Sequence, residues 1–517
     1  MKRLLALVAI VAALVAVPGP PASAAPDGTL TLASTTVKAG DPIQITYSTP
    51  RPDAANWLGL YTDPGNGPVN QEYVGPSLKW VYAGKGDGTA TLPTTGLSAG
   101  PHIVYFLAKD GYEWLAQPVK LTITDGSALR FVTGSVPLRN ARAGAAYQAT
   151  IGGLARGGRP GYTFRKVSGA AWVTVAADGR VGGTPPANSG AVTDQITAEV
   201  TDTAGKRATT GVRVPVRPTG TAYVPTLKVL SFNLWHGGSR VTNGREKQLR
   251  FLLDQNVDAV GLQEQSSTSA RELATALGWD YFDGGYSLGI ISRYPIAARG
   301  AHPSQSGLAG LNARIRVDDT GDRQISLWNM HLGYNPYGPY DMCFGKMNEQ
   351  QLLAREEQSG RTPQIKNILK AMAGDIANRE TTPVLLTGDT NAPSHRDYTA
   401  ATASRHCGYA SFPWPTSVLP EQAGLVDSYR VAHPDPARHP GDTWSPIFPT
   451  FTGGYGYDSH KGEPEPQDRI DVVRYAGNLT VTSSTALVTG TPRPDPDHEN
   501  NEWTSDHRAV LTTFRLT

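Results

Sequence analysis

Six short segments late in the chain each place, at the end of an apolar run, a residue type that can ligate a cation, move a proton or hold a phosphate. Asn233 follows Leu230-Ser231-Phe232, Glu264 follows Val260-Gly261-Leu262-Gln263, and His331 follows Leu327-Trp328-Asn329-Met330. Asp389 and Asn391 close Leu385-Leu386-Thr387-Gly388, Asp468 and Asp471 frame Arg469-Ile470, and Asp506-His507 precedes a last apolar run at 509–514. Each has a structural explanation when taken alone: Asn233 and Asp506 as caps of turns, His331 and His507 as hydrogen-bonded core histidines. Together they point to one shared cleft, because a polar group repeatedly placed at the end of a buried strand needs a compensating partner. Carboxylates with an amide suit a hard divalent cation, and imidazoles beside carboxylates suit proton transfer near neutral pH. Ten of the 11 histidines lie beyond residue 225.

The elements that must position these residues are mixed. Apolar strands at 229–234, 259–262 and 384–386 alternate with a helical stretch at 245–255. A long helix-compatible stretch covers 348–379, interrupted near Gly360 and Pro363. That texture over residues 226–517 predicts an α/β or α+β domain of catalytic size. Upstream, residues 26–125 read as a β-sandwich of roughly seven short strands, and 126–217 as a second one, with a turn-rich Asp178-Gly179-Arg180-Val181-Gly182-Gly183-Thr184-Pro185. Pro215, Pro218, Thr219 and Gly220 mark a linker before the last domain. The predicted domains are thus 26–125, 126–217 and 226–517.

Residues 1–24 read as a signal peptide: Lys2 and Arg3, an apolar run from Leu4 to Val17, then Ala22-Ser23-Ala24 as a cleavage site. The run is about 14 residues where a membrane span needs about 20, so secretion is expected and no transmembrane segment. In an oxidising compartment Cys343 and Cys407 are expected to pair, at a spacing that does not suggest a zinc site. Formal charge is +2, and Lys2 and Arg3 supply all of it, which excludes a globally polycationic nucleic-acid binder. By segment, 26–125 carries 6 basic and 9 acidic side chains, 126–217 carries 12 and 4, and 226–517 carries 27 and 32. The middle module alone is basic, and contact with a polyanion or the cell envelope through it is an open expectation beside that of a solvated face.

The ordered set SFNLWHG (231–237), VGLQEQ (260–265), NMHLG (329–333), GDTN (388–391), DRIDVV (468–473) and SDHRAV (505–510) resembles the endonuclease/exonuclease/phosphatase superfamily, which includes DNase I, abasic-site endonucleases, bacterial sphingomyelinases and inositol polyphosphate 5-phosphatases. The second stretch resembles bacterial immunoglobulin-like modules. The implied fold is two N-terminal all-β immunoglobulin-like sandwiches followed by a DNase I-like four-layer α/β sandwich with its site at one rim. The resemblance implies a divalent-metal-dependent phosphoesterase. Asn233, Glu264 and Asp506 would hold Mg²⁺, with Mn²⁺ or Ca²⁺ as alternatives. Asp389 would orient or deprotonate water, and Asn391, on the same side of an extended segment, would hold phosphate or nucleophile. His507 and His331 would contact phosphate. Asp471 or Asp468 would stand behind His507, with Asp471 favoured.

The expected reaction is phosphodiester hydrolysis by in-line attack of water, on extracellular nucleic acid or a phospholipid headgroup. The alternatives are a phosphomonoesterase on sugar or inositol phosphates and a catalytically silent surface-binding protein. A monomer is expected. The aromatic segment from Gly333 to Tyr340 is read either as a substrate loop or as a structural one, and histidines 395, 406, 433, 439, 460 and 498 as surface residues.

Overall fold

The structure, a computed structural model, describes residues 26–97, 99–303, 308–320 and 323–516; the signal-peptide reading falls outside them. The chain forms two compact units that divide between Ser127 and Ala128. Among the described residues no helix is long and apolar enough to cross a membrane.

The first unit is an all-β sandwich of eight strands where about seven were expected. A three-stranded sheet (Thr29–Leu32, Ile43–Ser48, Asp87–Leu92) faces a five-stranded one (Thr36–Lys38, Val119–Thr124, Gly100–Leu107, Trp57–Thr62, Lys79–Tyr82). Alternation sorts the residues as the period of a strand requires. Ile43, Ile45, Leu58, Leu60, Val104 and Phe106 fill the interior, while Trp57, Tyr61 and Tyr105 turn to the outer face of the larger sheet.

The second unit begins with the basic module. Its main sheet pairs Thr163–Gly169, Val192–Thr201 and Arg207–Arg217, and a smaller one pairs Tyr147–Thr150, Arg180–Gly183 and Val173–Val175. Two sequence readings change here. Pro215 lies within a strand opposite Thr193, so the linker starts later, and the turn-rich segment contains a strand because Gly182 and Gly183 let two neighbours pair with it.

The remaining elements, in chain order, are β1 (Thr226–Asn233), α1 (Gly244–Asp254), β2 (Ala259–Gln263), α2 (Ser269–Leu277), β3 (Asp280–Asp283), β4 (Leu288–Ser292), β5 (Ile296–Arg299), β6 (Gly310–Arg316) and β7 (Gln324–His331). There follow α3 (Gly338–Cys343), α4 (Glu349–Gln358), α5 (Arg361–Ala377), β8 (Val384–Asp389), α6 (Pro415–Gln422), β9 (Val426–Asp427), α7 (Ser428–Ala432), β10 (Asp471–Ala476), β11 (Leu479–Leu487) and β12 (Ala509–Leu516). The helix-compatible stretch splits as expected. Asn348 and Gln351 form a reciprocal cap that starts α4, Gly360 at φ 84° separates the helices, and Pro363 sits in the first turn of α5.

Two six-stranded sheets result, ordered β3-β4-β2-β1-β12-β11 and β5-β6-β7-β8-β10-β9. Their facing sides bury Leu227, Val229, Ala259, Leu311, Ala313, Leu327, Leu385 and Phe514 in one apolar layer. The outer face of the second sheet packs Met330, Val384 and Leu386 against Ile365, Ile368 and Met372 of α5. The outer face of the first packs on α1 and α2, whose apolar residues are continuous with the core of the basic module. This is the four-layer sandwich expected, with an immunoglobulin-like module docked on one helical layer. The docking is also ionic: Arg130 reaches Glu246 at 2.8 Å, and Arg142 grips Asp319 through two nitrogens at 2.6 and 2.7 Å.

A buried polar knot ties the rim loops to the second sheet. Arg469 donates to Asp397 and Asp427 at 2.8 Å each, and Arg430 reaches Asp397 at 2.7 Å, all four residues being buried. Burial pushes the Asp427 carboxyl up, but Arg469, Arg474 and the Arg430 backbone N–H outweigh it and hold it well below the usual carboxylate range. A depressed pKa contributes stability above the unfolded value, near 4, and loses it as pH falls through the folded value. Arg469→Met leaves buried carboxylates short of a partner and is expected to lower unfolding free energy by about 3–5 kcal/mol at pH 7. The deficit should narrow toward pH 4 as those carboxylates protonate. Denaturant titration of both proteins at the two pH values checks this, and an equal deficit at both would show that the charges are not the cause.

Candidate active site

Strand parity brings the polar residues to one place. Along β1, Leu227 and Val229 face the other sheet, so Ser231 and Asn233 do too. The same phase puts Gly261 and Gln263 of β2, Asn329 and His331 of β7, Thr387 and Asp389 of β8, and Asp471 and Val473 of β10 on the facing sides. The layer between the sheets therefore changes character along its length, from aliphatic to amide and hydroxyl to ionisable. In the middle band Gln263 Nε2 donates to Asn329 Oδ1 at 2.5 Å, Thr387 Oγ1 donates to the same oxygen at 3.1 Å, and Asn329 Nδ2 donates to the Leu262 carbonyl at 2.8 Å. Gly261 makes room for it: a Cβ there would lie 2.0 Å from Thr387 Oγ1 and 2.5 Å from Asn329 Oδ1.

At the rim Asn233 is the hub. Its Nδ2 lies 3.2 Å from Glu264 Oε1, 3.0 Å from Asp389 Oδ2 and 3.5 Å from His507 Nε2, while its Oδ1 accepts from Trp235 N at 2.9 Å. Glu264 Oε2 accepts from His236 N at 3.1 Å. His507 Nδ1 meets Asp471 Oδ2 at 2.8 Å, and its Nε2 stands 3.8 Å from Asp389 Oδ2 and 3.9 Å from Asp506 Oδ1. His331 Nε2 is likewise 3.8 Å from Asp389, with Ser287 Oγ 2.6 Å behind its Nδ1. No lysine or arginine forms an ion pair or hydrogen bond with any of these carboxylates among the described residues.

Burial and mutual charge set the protonation. Burial lowers the affinity of His507 for a proton, but Asp471, Asp389 and Asp506 outweigh it and carry the imidazole well above its ordinary value. Burial raises Asp389, with Asp471 adding to the rise and His507 opposing it. Burial also pushes Glu264 up, yet His507, His331, the Asn233 amide and the His236 N–H leave it lowered. Asp506 is pushed up to about 7, first by burial and then by Glu264, against His507. Its Oδ1 is buried with no hydrogen-bond partner among the described residues. A buried carboxylate oxygen without a hydrogen-bond partner, repelled by a second carboxylate, suits a cation, so Glu264 and Asp506 fit a divalent ion; Asn233, expected as a third ligand, turns its Nδ2 to the carboxylates and gives its Oδ1 to Trp235 N, and so braces them. Asp389, Asp471 and His507 also bring ligand atoms within 4.8 Å of one another. There, however, His507 Nδ1 and Asp471 Oδ2 already face each other as a hydrogen-bonded pair.

The backbone is strained around this cluster. Trp235, His236, Glu264, Ser266, Ser267 and Asn391, none of them glycine, have φ between 47° and 66°. Asn391 corrects a sequence expectation: the chain leaves its extended path after Asp389. A left-handed turn lets Asn391 N donate to Asp389 Oδ1 at 2.8 Å, and its Nδ2 donates to the Leu332 carbonyl at 3.1 Å. Asn391 thus braces Asp389 and β7.

Asp468 is the second correction. It faces away from His507, toward Tyr337, Tyr398 and His406, whose nearest atoms lie 3.4, 3.5 and 3.7 Å from its carboxylate. His406 is buried and stacked on Tyr398 at 3.9 Å, so it is not a surface histidine. The Gly333–Tyr340 segment is largely structural. Tyr337 and Tyr340 pack with Phe451 and Ile470, and Cys343 is disulfide-bonded to Cys407, whereas Tyr334 is 62% exposed. Ser287, Ser505 and Thr443 escaped the sequence reading. Ser505 Oγ joins the Asn233 carbonyl to His507 N, and Thr443 Oγ1 accepts from Asp471 N at 3.0 Å. Of these only Ser505 had a signal, its place in SDHRAV.

Residues 230–507 match the Endonuclease/Exonuclease/phosphatase family. The uncharacterized protein F14F9.5 of Caenorhabditis elegans is 31% identical over 297 residues, which cover 56% of this chain and 91% of the relative. Among solved structures, a family protein from Bacteroides thetaiotaomicron is 16% identical with a TM-score of 0.37, over 56% of this chain and 98% of that one. An AP endonuclease from Leishmania major is 15% identical with a TM-score of 0.34, over 56% and 88%.

The close approach of the sheets at Gly261 is open to test. Gly261→Ala forces Thr387 and Asn329 apart and is expected to lower unfolding free energy by about 1–3 kcal/mol. An unchanged midpoint and slope in denaturant would remove the claim that the band depends on this glycine.

Proposed function

Because the chain belongs to the endonuclease/exonuclease/phosphatase family, we propose that it is a secreted, divalent-metal-dependent phosphodiesterase that works by in-line attack of water. The observation that carries this reading is the convergence on Asn233 of Glu264, Asp389 and His507, with Asp506 left partnerless beside them. A bound Mg²⁺, or Mn²⁺ or Ca²⁺, supplies Lewis-acid polarisation of a phosphoryl oxygen. Glu264 and Asp506 would hold that ion, and Asn233 links Glu264 to Asp389 through its amide. Asp389, kept in place by the Asn233 amide and the Asn391 backbone, orients and accepts a proton from the attacking water. His507, held in one orientation by Asp471, presents Nε2–H to the phosphoryl group and offsets the charge that builds there. His331, backed by Ser287, does the same from the opposite side and serves the leaving oxygen. Secretion rests on the leader pattern and is supported by the Cys343–Cys407 disulfide.

Between substrate classes the surroundings favour a phospholipid headgroup over duplex nucleic acid. A duplex is held through many phosphates by lysine and arginine, and among the described residues none bonds to the side chains gathered at this rim. Instead Tyr286, Tyr334 and Tyr455, exposed by 66%, 62% and 43%, lie near it. Tyr286 adjoins Ser287, Tyr334 follows His331, and the Tyr455 phenol is close enough to Asp506 to feel its charge. A dianionic phosphomonoester would need still more positive charge, which disfavours the sugar-phosphate alternative. The silent-protein alternative is disfavoured by a complete set of side chains gathered at one rim.

Mature protein with Mg²⁺, assayed in one mixture of plasmid DNA and sphingomyelin-bearing liposomes, is expected to release phosphocholine in an EDTA-sensitive way. Nicking in its place would assign a nuclease. Asp389→Asn and His507→Ala are expected to lower kcat by roughly 10³-fold or more with folding intact, and Asp471→Asn by about 10²-fold or more. Near wild-type turnover in the first two would overturn the site.

A further inference from the structure

The basic module and the catalytic domain enclose a cavity of about 490 Å³, within the range of small-molecule sites. It lies at the pole of the first sheet opposite the candidate active site. Gln263 and Leu288 pair at the catalytic end of β2 and β4, Ala259 and Ser292 at the other, and Arg293 on the cavity wall follows Ser292. Four to five residues of strand separate the two ends, on the order of 15 Å.

The wall has one sign of charge. Arg139 and Arg180 come from the module and Arg293 from the catalytic domain, and no carboxylate lines the space. Arg180 is paired at the surface with Asp178, at 2.7 Å, and Arg293 from behind with Asp258, at 3.3 Å. Arg139 has no carboxylate at all: it donates to the Gln148 carbonyl at 3.0 Å and lies over the Tyr147 ring. Arg293 is buried, stacks on Trp279 at 5.2 Å, and keeps Nε and Nη2 without acceptors. Arg139 and Arg293 thus face the same space from the two domains. Like charges drawn together across an interface cost free energy that an anion between them recovers. Elsewhere the module's arginines meet the catalytic domain through its carboxylates, as Arg130 and Arg142 do; here Arg139 meets none among the described residues, and Asp258 stands behind Arg293, outside the cavity lining.

The rest of the lining suits a ring with hydroxyl groups. Trp279 gives an indole wall, Gln148 an amide, and Thr150 and Thr174 hydroxyls. A Cβ on Gly182 would meet nothing nearer than 3.4 Å, whereas one on Gly278, at φ 67° where α2 ends, would strike Thr150 Cγ2 at 2.2 Å, so the second glycine lets the module close on the helix end.

We propose that this cavity is a binding site, separate from the catalytic centre, for a sugar-sized hydroxylated ring that carries one carboxylate or phosphate. Full-length mature protein is titrated calorimetrically with glucuronate and with glucose 6-phosphate, and with glucose as the uncharged control. Saturable binding of at least one acid, and at least tenfold weaker binding of glucose, is expected. Binding of only one acid identifies the anionic group. Arg139→Ala and the near-isosteric Gln148→Glu, which puts a carboxylate on the wall, should each weaken binding about tenfold or more, while His507→Ala should leave it unchanged. The proposal is overturned by no saturable binding of either acid, by glucose binding equally well, by indifference to both wall variants, or by loss in His507→Ala alone. That last result would place the ligand at the catalytic centre.

Discussion

Four carboxylates, Glu264, Asp389, Asp471 and Asp506, share one end of the inter-sheet layer with three imidazoles, those of His236, His331 and His507, and, among the described residues, no lysine or arginine in contact. Even with all three imidazoles charged, four ionised carboxylates exceed them, and three of the four are buried. Such an excess is costly in a medium less polarisable than water and must be met by protons or a cation. Asp471 is matched by His507, Glu264 is stabilised by two donors, and Asp506 is left to protonate near neutrality or to take a cation. The proposed metal requirement is therefore a consequence of charge balance in this site as well as of family membership.

Holding that charge requires a rigid frame. The two sheets supply it by keeping a single side-chain phase, so that aliphatic, amide and ionisable residues follow one another toward the rim. The amide band does what water cannot do at that depth: Asn329 accepts from Gln263 and Thr387 on opposite sheets and so fixes their spacing. Past the strand ends the chain turns sharply, with Trp235, His236, Glu264 and Asn391 in the left-handed region. Strain of this kind persists only where the surroundings over-determine it, and here the hydrogen bonds to Glu264 and Asp389 do so.

Much of this was legible in the sequence because strand-end polar residues carry their own signal: an apolar run that gives way to acids, amides or imidazoles marks the end of a strand. Asn233, Glu264, His331, Asp389, Asp471 and the Asp506-His507 pair were found that way and by the family resemblance. What failed was extrapolation past the strand ends. Asn391 was placed as if the extended chain continued, and a left-handed residue reverses that inference. Asp468 and Asp471 looked equivalent around Arg469, but β10 begins only at Asp471, and the residues before it are committed to the Arg469 knot and to the tyrosine pocket. His406 was misread because no periodicity announces that Tyr398, on the same loop, will fold back and stack on it. Ser287 and Thr443 act across the rim from loops that have no periodicity to read.

The basic module shows the same limit at the scale of domains. Its charge reads as a surface property, and as a surface property it suggested a polyanionic partner. Part of that charge is already balanced inside the molecule, because Arg130 and Arg142 bind carboxylates of the catalytic domain and the two share one apolar core. A spacer joined by a flexible linker would need neither. The Arg130–Glu246 pair and the continuous core fix the orientation of α1 and the core that of α2, the helices behind β1 and β2, so the module supports the frame of the site from outside. Charge that is not balanced by the partner domain is then the informative remainder. It lies at the far pole of the same sheet, where Arg139 faces a cavity that Arg293 also lines and that no carboxylate lines.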